Sequence, residues 1–172
     1  MPFDAASGPI ARTHLDLRAE NGGHAPWCGP AAIALVTGLA YAEACRLLHA
    51  VCPERYPEPD GVVAAWWRDL VEALRRHGLA GAPLEIETGR PRLLGLAGRR
   101  LEPGWYLVRV TDHFLLLHLR QRGRGRRGLA VVHDNTHTAV PLSPRVFGLR
   151  RVTHALRLAD GHALDRLGPI AA

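Results

Sequence analysis

Residues 24–35, "HAPWCGPAAIAL", place one cysteine between a tryptophan and a Gly-Pro pair and follow it with small apolar residues. Proline is tolerated in the first turn of a helix, where its missing N–H would be unpaired anyway. Pro30 therefore marks a helix that starts at Cys28, and Gly38 is the expected stop. A helix this apolar belongs in a core. At its N-terminus the unpaired N–H groups and the helix dipole favour an anion, so the position lowers the pKa of Cys28 and gives it the character of a nucleophile. The plainer alternative is a small buried residue, because free cysteine is among the most buried residue types.

"WCGP" is also most of a thioredoxin-type redox motif, but Ala31 stands where the resolving cysteine would be, and the preceding "RAENGGHAP" is too polar and glycine-rich for a buried strand. A nucleophilic cysteine instead needs a base to shuttle a proton and a third group to orient that base. Of the ten histidines, His113 opens a predicted strand, "HFLLLHL", where an imidazole can face a cleft. His118 lies an odd number of residues further on and is expected to face the other way. The next predicted strand ends in "HDN". If the two strands pair as a hairpin, Asp134 or Asn135 comes near the start of the first and can accept a hydrogen bond from His113.

Outward from these blocks the chain divides into helices first and strands afterwards. Residues 1–23 are rich in Gly, Pro, Ala and polar residues, and read as an extended arm. "YAEACRLLHAV" is a second amphipathic helix in which Cys45, and Cys52 just beyond it, are packing residues. After the Pro-rich connector "CPERYPEPDG", Asp60 is placed to cap a third helix with Val63, Trp66, Trp67, Leu70, Val71 and Leu74 on its apolar face, closed by Gly78. "PLEIE", "GWYLVRV", "HFLLLHL", "GLAVVHDN" and "RVTHALRL" read as strands, and "RPRLLGLAGRR" as a helical turn. The expectation is an α+β domain over residues 24–158, a helical lobe packed on an antiparallel sheet, with residues 159–172 as a tail.

Composition narrows the class further. The 172 residues are 47% hydrophobic and 22% charged, which are globular values. No apolar run reaches the roughly 20 residues of a membrane span, and the first residues lack the pattern of a signal peptide, so a cytoplasmic protein without membrane association is expected. Three cysteines without CxxC spacing indicate neither a disulfide framework nor a zinc site, and reduced thiols are expected. The net charge of +6 is carried by arginine alone, since lysine is absent. Five of the arginines lie in "RQRGRGRRG", where Arg122, Arg124, Arg126 and Arg127 could grip an acidic partner or nucleic acid. A solvated glycine-rich hairpin loop is the commoner explanation, and the segment lacks the aromatic residues of a nucleic-acid platform. "HDNTH" raises a metal site through His133, Asp134 and His137, but no helical ligand spacing accompanies it, and no metal or organic cofactor is expected.

"WCGPAAIAL", "DHFLLL" and "AVVHDN", in that order, resemble the papain-like cysteine peptidases, in particular the branch of bacteriocin-leader-processing peptidases. The resemblance covers roughly 25 residues in three blocks. It implies a papain-like fold, no cofactor, a peptide or protein substrate, and a triad of Cys28 as nucleophile, His113 as general acid and base, and Asp134 as orienter. The same blocks fit an acyltransferase, a deamidase or a catalytically silent relative. The family pattern also places a glutamine six residues before the cysteine to stabilise an oxyanion. Gly22 stands there in this chain, and Asn21 and His24 are the nearest candidates to replace it.

Overall fold

The structure, a computed structural model, describes residues 12–86, 89–98, 101–120 and 129–159. Among the described residues five helices, α1 (His14–Glu20), α2 (Cys28–Thr37), α3 (Tyr41–Val51), α4 (Trp67–Arg76) and α5 (Leu93–Gly98), accompany six strands. These are β1 (Gly81–Pro83), β2 (Gly104–Val110), β3 (His113–Arg120), β4 (Leu129–His133), β5 (Val140–Pro141) and β6 (Val152–Leu158). They form one antiparallel sheet in the order β1-β6-β2-β3-β4-β5. The protein is thus an α+β domain. Among the described residues no single helix is long and apolar enough to cross a membrane.

The sheet is covered on both faces, which is why β2 and β3 read as nearly continuous apolar runs. Trp105, Leu107, Phe114 and Leu116 join the core of the helical lobe. Their alternates Tyr106, Val108, Leu115 and Leu117 pack against Leu93 and Leu96 of α5. "RPRLLGLAGRR" does supply a short helix, but it covers the face opposite the helical lobe. "PLEIE" is corrected: the edge strand is Gly81–Pro83, pairing with β6, and beyond it the Leu84 N–H reaches the Ala155 carbonyl at 2.9 Å.

Helix α2 begins at Cys28 and ends at Gly38, whose left-handed φ of 79° stops it. Residues 12–23 correct the expectation of an extended arm. Thr13 and Asp16 form a reciprocal capping box, and the helix they start buries Leu17 completely. The signal was present as T-x-x-D, but Gly and Pro on either side outweighed it. Once formed, α1 is tied at both ends. The His14 N–H and ring Nδ1 lie 3.0 and 2.7 Å from Thr138 Oγ1, and Glu20 accepts the N–H of Tyr41 at 2.7 Å. The Tyr41 hydroxyl in turn accepts the N–H of Trp27, the residue before Cys28, at 3.0 Å.

The third expected helix starts later than its apolar pattern suggests. Residues 61–66 are not helical, α4 opens at Trp67, and Asp60 caps nothing, pairing instead with Arg46 at 2.9 Å. Val63 and Trp66 therefore do not join the apolar face but are 56% and 61% exposed. Tertiary bonds hold the segment open. The Tyr56 hydroxyl accepts the Trp66 N–H at 3.0 Å and donates to buried Asp69 at 2.8 Å, and Arg55 pairs with the same carboxylate. The segment then crosses the head of α2 at Ala65, so closely that a Cβ on Gly29 would lie 2.4 Å from Ala65 Cβ. Glycine after the cysteine is thus a packing requirement. Gly29→Ala is expected to lose about 1–3 kcal/mol of stability in urea unfolding, and the double variant with Ala65→Gly to regain most of it. Equal stability of Gly29→Ala and wild type would refute the crossing.

Candidate functional site

Helix α2, the β2–β3 turn and the loop after β4 converge on one point. Cys28 is the first residue of α2 and partly buried, and the backbone N–H groups of Phe114 and of Cys28 itself favour its thiolate. His113 opens β3 immediately after Asp112, whose left-handed φ of 57° closes the β2–β3 turn. Its ring is within interaction range of the Cys28 thiol. His113 Nε2 lies 2.9 Å from Asp134 Oδ2, which leaves Nδ1 as the ring nitrogen to serve the sulfur. The pairing Leu116↔His133 sets this meeting, because it brings the residue after β4 beside the start of β3. Phe147 stacks on the imidazole at 4.9 Å and 6°, fixing the plane of the ring.

Asp134 is only 1% exposed and its carboxylate is saturated. While Oδ2 faces His113, Oδ1 accepts the backbone N–H groups of Thr136 and His137 at 2.8 and 2.7 Å and the Thr136 hydroxyl at 3.1 Å. His137 Nδ1 approaches the same oxygen at 2.9 Å. This loop is an Asx-type turn built by its own aspartate, so the carboxylate is positioned before it meets His113. Burial alone would raise its pKa, but the bonds from His113, Thr136 and His137 prevail and hold it at about 2.

The same competition decides the other two groups. Burial pushes His113 down, yet Asp134 and the Cys28 thiol outweigh it and raise the imidazole to about 9. For Cys28, burial raises the pKa, but the His113 hydrogen bond, the Phe114 N–H and the imidazolium charge bring it below the ordinary thiol value. Cys45 shows the opposite balance, its buried thiol being raised chiefly by desolvation. The shifts thus favour a thiolate–imidazolium pair beside a carboxylate. Such a pair supplies a nucleophile and a proton donor together.

Cys28, His113 and Asp134 are therefore brought together. Asn135 has a different place from the orienting one open to it in the sequence: its amide nitrogen donates to the Pro26 carbonyl at 2.7 Å, tying the acid loop to the turn before Cys28. Asn21 donates to the His24 carbonyl at 3.2 Å within its own turn, and His24 is exposed, so neither is bonded to the triad. His118 does face away from His113, stacking on Trp105 at 4.0 Å. His133 accepts the Ala139 N–H at 3.2 Å, so the "HDNTH" stretch closes a loop through Asp134 and His133. Arg122, Arg124, Arg126 and Arg127 lie outside the described residues. Phe147, Thr136 and the support from His137 were not legible in the sequence, since an aromatic 34 residues from His113 carries no local signal. Comparisons with protein-family models, curated proteins and solved structures give no match for this chain.

The pair shifts make stability depend on pH. His113 contributes stability that is complete below its ordinary 6.5 and is lost as pH rises through about 9. Asp134 contributes stability present above its ordinary 3.8 and lost as pH falls through about 2. Cys28, lowered from 9.0, contributes in the opposite sense, its stability growing as pH rises toward 9.0, and so offsets the loss from His113 in the wild type. Cys28→Ala removes that offset, and its Tm should fall as pH rises above 6.5; adding Asp134→Asn should remove much of that alkaline slope, and an unchanged slope would contradict the coupling.

Proposed function

We propose that this chain is a papain-like cysteine peptidase-type thiol hydrolase acting on peptide, isopeptide or side-chain amide bonds. The observation that carries the proposal is the meeting of a helix-start cysteine, a strand-start histidine and a buried aspartate from three separate stretches, with the cysteine's pKa lowered and the histidine's raised. A structural cysteine needs none of this. The order of helical lobe and antiparallel sheet, with the nucleophile on one and the base on the other, supports the papain-like arrangement.

In the proposed reaction the Cys28 thiolate attacks the carbonyl carbon of the amide, forming a C–S bond while the carbonyl oxygen becomes an oxyanion. The backbone N–H of Cys28 and the positive end of α2 face that charge. The intermediate collapses, the C–N bond breaks, and the imidazolium of His113 gives its proton to the leaving amine. Water then enters. His113, now neutral, takes one of its protons as the oxygen attacks the thioester carbon. The acid is released, and the thiolate–imidazolium pair is restored. Asp134 keeps the imidazole oriented and its charged form favoured throughout, and no cofactor takes part.

The test is labelling and turnover with a panel of peptide and isopeptide electrophiles and their amide counterparts. Cys28→Ala should abolish turnover, and His113→Ala should reduce it by on the order of 10²–10⁴-fold, the usual worth of general acid–base catalysis. The pH profile of kcat/KM should be bell-shaped, with an alkaline limb near 9 where His113 loses its proton. The acid limb should fall below the ordinary thiol value of 9.0, where the thiolate is protonated. Full activity of Cys28→Ala, or iodoacetamide labelling of Cys28 no faster than of Cys52 near pH 6.5, would overturn the proposal.

A further inference from the structure

A cleft of about 400 Å³ opens at the end of the sheet where β2 finishes and β3 begins, lined by Arg90, Arg109, Thr111, Asp112, Thr153 and His154. It adjoins the candidate site through the β2–β3 turn, since Thr111 and Asp112 of its lining immediately precede His113. Phe114, the residue after His113, carries the Arg109 guanidinium 5.9 Å from its ring centroid and stacks with Trp67 at 6.4 Å. Trp67 in turn stacks on His154 at 5.1 Å. Arg109 is the cross-strand partner of both Phe114 and His154, so these side chains share the sheet face that meets the helical lobe. Beside them the sheet bulges: the register shifts between Arg109 and Val110, and the Thr153 hydroxyl donates to the Arg109 carbonyl at 3.1 Å. Bulges of this kind re-aim side chains next to working sites.

The charge in the cleft is unbalanced. Among the described residues neither Arg90 nor Arg109 forms an ion pair with a carboxylate, and Asp112 is the single acid in the lining. Arg90 is held there in a left-handed conformation, φ 46°, an uncommon backbone for a side chain of its size. Burial and then the two neighbouring guanidinium groups hold His154 below its ordinary range, so at neutral pH it is an uncharged hydrogen-bonding partner and the positive charge is that of the arginines. Guanidinium groups bind carboxylates through paired, charge-assisted hydrogen bonds.

We propose that this cleft is a specificity subsite that takes a carboxylate of the substrate, held by Arg90 and Arg109, beside the bond that Cys28 attacks. The inference rests on the cysteine-hydrolase function proposed above and adds the substrate class: peptides with an acidic side chain, or a free C-terminal carboxylate, within a few residues of the scissile bond. Arg90 and Arg109 bind the carboxylate and disfavour basic side chains, and His154, backed by Trp67, forms a wall.

The test uses epoxysuccinyl peptides, which reach both sides of a cysteine nucleophile, carrying glutamate or glutamine at each position and ending in a free acid or an amide. Labelling rates of Cys28 are divided by that protein's iodoacetamide rate. The expected result is a roughly tenfold or greater preference for the charged member of one pair, falling steeply in 1 M salt because the contact is partly exposed. A Glu-over-Gln preference identifies a side-chain carboxylate, and an acid-over-amide preference identifies a C-terminus. Arg109→Gln and Arg90→Gln should each reduce the ratio, and together bring it to one. The salt series on the wild type decides the matter even if a variant fails to fold. Rapid iodoacetamide labelling without any charge preference would overturn the subsite and leave the cysteine hydrolase standing. Slow labelling of Cys28 by every reagent, no faster than Cys52, would overturn both.

Discussion

Asp134 is the group around which the site is organised. A carboxylate removed from water is strongly disfavoured unless its charge is answered, and here two backbone N–H groups, a hydroxyl and two imidazoles answer it. Because most of these donors come from the next three residues, the loop is stable as a unit and offers its second oxygen in a fixed direction. His113 is charged because that oxygen is there, and the Cys28 thiol is lowered because His113 is charged. The order of cause runs from a buried turn to a thiol of lowered pKa.

The rest of the fold keeps those three stretches in register. The turn before Cys28 is held from two sides, by Asn135 at the Pro26 carbonyl and by the Tyr41 hydroxyl at the Trp27 N–H. Helix α1 bonds to Thr138 at one end and to Tyr41 at the other, bridging the acid loop and the helical lobe. The segment before α4 closes over Gly29 and leaves Trp66 exposed, while Trp27 beside the cysteine is 53% exposed. Trp27 and Trp66 thus form an apolar lip beside the thiol.

Much of this was legible before any fold was known. Four of the six strands follow their apolar runs within about two residues of the expected limits, because β-branched and leucine-rich stretches bounded by Gly, Asp and Arg leave few alternatives. The expected hairpin of β3 and β4 forms, and its register, with Leu116 opposite His133, brings Asp134 close to the start of β3. The failures share a cause. Residues 61–66 have a helical pattern, but their backbone is claimed by Tyr56 and by packing on α2. Residues 14–20 were obscured by the glycine- and proline-rich composition around them although a capping box was present. Asn135 was legible as a residue near the site, not as the tether of Pro26.

Sequence alone determined the residue types and their order: a cysteine at a helix start, a histidine at a strand start, an aspartate closing the next strand. Those are local features, set by helix capping, strand alternation and turn chemistry within a few residues of each group. Tertiary structure alone decided that Phe147 holds the His113 ring and that Arg90, Arg109 and His154 gather in one cleft beside it. Their separations along the chain range from 19 to 64 residues. Over such distances proximity comes from sheet pairing and the burial of both sheet faces, which no local pattern encodes.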